Sequence, residues 1–160
     1  MKPSSHLIAA VPLAAVVHLS TNSWESTALA VCASILIDVD HIADYLYYRR
    51  GWRGLEDFFE TFRVCRIERT TILFHAWEWP ILYALFLIWG PAPHWLWPMV
   101  LGLTYHLAMD TAANGLRPSF YWLFRRALSG FQLAPFLQPD RWRGISDACS
   151  FAALRERLGW

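Results

Sequence analysis

The sequence predicts an all-α fold: a helical membrane bundle with about four transmembrane helices and interfacial amphipathic helices beside them. Three observations carry that expectation. Apolar residues make up 56% of the 160 positions and aromatics 16%, with ten tryptophans, which exceeds the usual apolar share of a soluble domain. The apolar residues gather into four long segments separated by short polar or Pro/Gly breaks. The basic residues avoid two of those breaks altogether.

The first segment is HLIAAVPLAAVVHLS, residues 6–20. The second is STALAVCASILI, 26–37, which can run on through YLYY at 45–48. The third is TILFHAWEWPILYALFLIWG, 71–90, and the fourth HWLWPMVLGLTYHLAM, 94–109. Pro12, Pro80 and Pro98 predict kinks or helix starts, because proline lacks the backbone N–H that an inner helical position needs. A bilayer core takes about 20 helical residues to cross at roughly 1.5 Å each. The third and fourth segments approach that length and the first two fall short, so a compact soluble bundle is the competing reading.

Charge placement favours the membrane. Of the 14 basic residues, thirteen are arginine and one is Lys2. All lie at the N-terminus, between 49 and 69, or after 116, and none lies in the breaks at 21–25 and 90–94. With four spans these three regions share one side, the positive-inside pattern, which sets both termini on the cytoplasmic face. Trp24, Trp89, Trp95 and Trp97 then fall at the outer interface, where indoles prefer to lie.

Outside the spans, WRGLEDFFETFRVCRIER (52–69) has apolar residues at 55, 58, 59, 62 and 65, a helical spacing that predicts an amphipathic helix on the inner surface. The stretch SFYWLFRRAL, 119–128, reads the same way. Residues 1–130 are expected to form the membrane domain. Residues 131–160 are expected to form a cytoplasmic tail ending in a short helix at 146–158. The first apolar run has no convincing small-residue cleavage site after it and is read as retained. Cys32, Cys65 and Cys149 are too far apart for a disulfide framework or zinc knuckle and read as reduced, mostly buried thiols. A net charge of +1 implies no nucleic-acid partner.

On this topology the ionisable residues gather at one level. His6 begins the first span; Asp38, Asp40 and His41 end the second; His75 and Glu78 begin the third; His106 and Asp110 end the fourth. His75 and Glu78 are three apart, and His106 and Asp110 four apart, so each pair shares a helix face. Asn114 extends the second stripe by a turn. Asp38 to Asp44 taken alone reads as a solvated helix end, and the His106/Asp110 pair as a simple hydrogen bond. Tyr105 and Trp122 read as packing residues. Delivery of all eight groups by four separate segments points instead to a metal centre built between helices, with one or two divalent ions. Mixed nitrogen and oxygen donors suit Zn, and also Mn or Fe, better than Ca. Asp40 or Glu78 is a candidate general base acting on an activated water. Arg69, Arg117, Arg125 and Arg126 are candidates for holding a phosphate, with Asn114 beside them. The depth suggests a membrane lipid or lipid-linked phosphoester as substrate. Two other classes compete: a metal-binding or metal-moving protein without catalysis, and a bundle whose His/Asp set is a structural hydrogen-bond network.

The runs SSHLIAA, IDVDH and TYHLAMDTAANG, in that order on these segments, resemble a family of small bacterial inner-membrane proteins described as membrane-bound metal-dependent hydrolases. The resemblance covers roughly residues 1–120. It implies a metal-ligand set of His6, Asp38, Asp40, His41, His75, His106 and Asp110, and a location in the bacterial cytoplasmic membrane. At the third site the family's R-G-x-T-H-S run is replaced by RTTILFHAWE, which sets Arg69 six residues before His75 and leaves Glu78 to take a ligand role. A fainter similarity to zinc-dependent phospholipases C implies phosphoester chemistry, as analogy of fold alone.

Overall fold

A computed structural model of the chain describes residues 3–63, 67, 69–91, 93 and 95–138. The described residues form an all-helical protein with no strand. Seven α-helices follow in order: α1 Pro3–Thr21, α2 Trp24–Leu36, α3 Asp40–Arg49, α4 Leu55–Arg63, α5 Glu78–Trp89, α6 Leu96–Ala113 and α7 Leu123–Leu128. Short 3-10 turns lie at Ile37–Val39, Pro118–Tyr121 and Ala134–Phe136. The expected helix at 146–158 lies outside the described residues.

The chain divides into two compact units, Met1–Asp38 with Phe74–Asn114, and Val39–Leu73 with Gly115–Trp160. Each is interrupted in sequence by the other, so the division does not follow the boundary expected at residue 130.

The first unit holds α1, α2, α5 and α6. Its core is Leu13, Val17 and Ala30, with Trp97, Leu101 and Tyr105 packed on them. Trp97 therefore serves the core, while Trp24, Trp89 and Trp95 are exposed. Ser23 caps α2 by accepting from the Ser26 N–H at 3.2 Å. Pro80 and Pro98 sit in the first turns of α5 and α6, where no intrahelical N–H is needed. Gly102 permits the α2–α6 crossing: a Cβ there would lie 2.1 Å from the Ala30 carbonyl oxygen. Ala30 meets Gly102 and Ser34 meets His106, four residues further along both helices, so α2 and α6 run parallel.

The second unit is held by polar clasps and aromatic rings. Asp57 on α4 accepts from the Tyr45 hydroxyl at 2.6 Å, and its two oxygens take a fork from Arg49 at 3.0 and 2.6 Å. Tyr45 is fully buried against Trp52 and Phe58. Asp44, expected at a solvated helix end, is buried: its carboxylate accepts from the hydroxyls of Thr70 and Thr71 and from the backbone N–H groups of Thr71 and Ile72. Arg126 is also fully buried, donating to the Ile72 carbonyl beneath the Phe120 ring. The stretch 119–128 is thus no interfacial amphipathic helix, since Phe120, Tyr121 and Arg126 all point inward. The helix expected over 52–69 is realised at Leu55–Arg63, and Arg69 pairs in a β-bridge with Gln132.

Four helices of spanning length are not found among the described residues. One stretch, Trp24–Arg49, is long and apolar enough to cross a membrane, and only 22% of its most apolar window is buried. His6–Thr21 and Glu78–Trp89 are apolar but shorter. The third segment loses its first seven residues to an irregular run, because β-branched Thr70, Thr71 and Ile72 are bonded to a carboxylate instead of a helical turn. Cys32, expected buried, is exposed on α2; Cys65 and Cys149 lie outside the described residues.

Candidate metal centre

Five side chains of the first unit converge. His6 comes from the first turns of α1, and Asp38 from the 3-10 turn that ends α2. His75 comes from the turn before α5, and His106 and Asp110 from successive turns of α6. His75 is therefore not helical and shares no helix face with Glu78. Phe74 and Ala76 close a tight turn around it, with the Ala76 N–H donating to the Phe74 carbonyl at 2.9 Å.

The donor atoms face one another. His75 Nε2 lies 3.2 Å from Asp38 Oδ1 and 3.2 Å from His106 Nε2. His106 Nε2 lies 3.4 Å from Asp110 Oδ2 and 3.5 Å from Asp38 Oδ1. His6 Nε2 lies 3.5 Å from Asp110 Oδ1 and 4.0 Å from Asp38 Oδ2. The His6 and His106 rings stack at 4.5 Å with 10° between their planes.

One hydrogen bond sets the chemistry of the cluster. His106 Nδ1 lies 2.6 Å from the Ser34 carbonyl oxygen, which can only accept. Nδ1 therefore carries the proton, and the Nε2 lone pair of the neutral ring points at the other donors. Sequence reasoning missed Ser34, although it sits one helical turn before Asp38 and the i,i+4 spacing was there to read.

The donor set fits a divalent cation. Ligand bonds of about 2.0–2.2 Å place neighbouring donors roughly 3.0–3.5 Å apart around one ion. Most of the contacts here fall in that range, whereas a charge-assisted hydrogen bond closes to about 2.7–2.9 Å. Three imidazoles and two carboxylates in a nearly sealed setting also carry a net negative charge that a divalent ion would balance. Four of the five are closed to solvent: the side chains of His75 and His106 are 1% exposed, Asp110 5% and His6 9%. Asp38, at 34%, is the open side.

Glu78, half-buried, begins α5 in the same unit. Asp40 and His41 belong to the second unit on α3, where His41 packs on Phe62 with ring centroids 4.8 Å apart. Of the eight candidates read from the sequence, five converge within the first unit. Asn114 caps α6, its N–H bonded to the Asp110 carbonyl at 2.9 Å. Arg69, Arg117 and Arg125 are exposed in the second unit. Arg126 is committed to the fold and is not available to a phosphate at the surface. His18, at the far end of α1, packs on Trp24 with 4.1 Å between ring centroids.

No family model, no curated protein and no solved structure matches the chain.

Proposed function

We propose that this chain is a membrane-embedded metal-dependent hydrolase of the bacterial cytoplasmic membrane. It acts on a phosphoester of a lipid or lipid-linked substrate at the cytoplasmic interface. His6, Asp38, His75, His106 and Asp110 hold a divalent cation, Zn first and Mn or Fe as alternatives. When bound, such an ion supplies Lewis acidity to a phosphoryl oxygen and to water. His75, His106 and Asp110 fix the donor geometry from within, and the Ser34 carbonyl holds the His106 tautomer. Asp38 stands where solvent arrives. Asp38, the carboxylate of the cluster open to solvent, would take a proton from an attacking water.

The observation that carries the reading is the convergence of five side chains from separate elements, most of whose facing nitrogen and oxygen atoms lie 3.2–3.5 Å apart, a spacing that suits the ligands of one ion. The membrane part rests on the absence of basic residues from the breaks at 21–25 and 90–94, the exposed aliphatic surfaces of α1 and α5, and the tryptophans at the opposite end of the first unit from the cluster.

Elemental analysis of the purified chain tests it, with about one ion per chain expected. Asp110→Asn and His106→Ala should each weaken ion binding by about 10–100-fold or more, while their secondary structure by circular dichroism stays intact. Both should abolish hydrolysis across a panel of phosphodiesters, and Asp40→Ala on the same panel reports whether a residue of the second unit takes part. Ion content at background, or turnover retained in both cluster variants, removes the hydrolase assignment. Bound ion without turnover on any substrate leaves a metal-binding protein.

A further inference from the structure

Within the first unit the helices end at two levels, and α2 alone runs on, through the 3-10 turn, into α3 of the second unit. At one end stand Trp24, Trp89 and Trp95, with 75%, 78% and 54% of their surfaces exposed. At the other stand the metal donors. Asp38 lies fourteen residues from Trp24, His6 fifteen from Thr21 and Asp110 fifteen from Trp95. At about 1.5 Å per residue, these three paths give a height of roughly 21–22 Å. Tilt can only shorten it. The wall between the levels is apolar and open, with Ile8 72%, Leu19 85% and Ile88 69% exposed.

A bilayer core is about 30 Å thick. With the indoles at one boundary, the donors fall about 8–9 Å short of the other, inside undeformed hydrocarbon. Two carboxylates cannot rest there without water, and the Asp38 side chain is open. A membrane meets a short apolar wall by thinning around it.

We infer that the first unit thins the leaflet on its donor side, drawing headgroup phosphates and water down to Asp38. The substrate is then a phospholipid of the bilayer itself, delivered by the deformed leaflet, and not a soluble phosphoester. This rests on the membrane hydrolase reading and specifies its substrate.

The full chain, purified in detergent, is reconstituted into vesicles of dilauroyl-, dioleoyl- and dierucoylphosphatidylcholine. Its thermal midpoint and its retention of zinc against a chelator are followed in each. Both should be highest in the thinnest bilayer, with the midpoint falling by about 5 °C or more in the thickest. In Mn²⁺-loaded protein, lipid phosphorus should relax faster than the terminal methyl carbons of the acyl chains. Protein that inserts, but with midpoints independent of thickness or with the methyl carbons relaxed faster, overturns the thinning and leaves the membrane hydrolase standing. Protein left in the supernatant of all three preparations overturns the membrane reading itself.

Discussion

His106 shows how one hydrogen bond decides what a side chain can do. Its Nδ1 proton is committed to the Ser34 carbonyl, so Nε2 is left as a lone pair among carboxylates and imidazoles. Asp57 shows the same economy in the second unit. The Tyr45 hydroxyl and then the Arg49 fork hold its carboxyl below the usual carboxylate value. A group whose folded pKa is depressed stabilises the fold above its unfolded value, near about 4, and loses that contribution as pH falls through the folded value. Asp57→Asn should therefore be less stable than the parent at neutral pH, and the gap should close as the pH drops below about 4. Urea melts at a series of pH values measure it; a gap that stays constant would show that Asp57 acts through packing and not through its charge. Asp44 and Arg126 are the residues the sequence misleads on. Both look like surface charges because their partners carry no charge: hydroxyls and backbone N–H groups in one case, a carbonyl in the other.

At the scale of elements, long apolar runs bounded by polar or Pro/Gly breaks located α1, α2 and α6. That signal failed at the start of α5. The run Thr70–Ile72 looks like more of the same apolar segment, yet the Thr70 hydroxyl and the Thr71 and Ile72 backbone N–H groups are bonded to Asp44, a carboxylate 26–28 residues away. His75 was legible as a candidate by its chemistry, while its place in a turn depended on that distant bond. The α2–α6 contact was not legible at all, since a glycine within a helix does not name its neighbour. Gly102→Ala should cost about 1–3 kcal/mol, because the methyl group meets the Ala30 backbone and has no flexible side chain to displace. The strain lies one turn from the Ser34–His106 bond, so ion affinity should fall with stability. A thermal melt and a metal titration on the same sample check it, and an unchanged affinity in a destabilised variant would uncouple the crossing from the centre.

For the whole molecule, the fold class followed from composition, and the gathering of His and Asp groups followed from counting along each segment. The number of helices long and apolar enough to cross a membrane did not, because polar groups and an irregular turn shorten what hydropathy alone extends. Ion binding should be felt globally. A cation that binds the folded chain alone, at a hundredfold excess over its Kd, adds about 2.7 kcal/mol of stability, or roughly 5–10 °C in the thermal midpoint. Titrating zinc into chelator-stripped protein while following the midpoint tests this, and no shift at saturating zinc would count against a folded-state site.

The donors also occupy particular places along the thread of the chain. Asp38 is the last residue before the chain leaves the first unit, His75 follows its return by one residue, and Asp110 precedes its second departure by four. One ion held by these three would knot together every point at which the polypeptide passes from one unit to the other. Stripping it would untie all three passages at once, and a protease should register the loss there, near Val39, Leu73 and Gly115, before any helix unwinds.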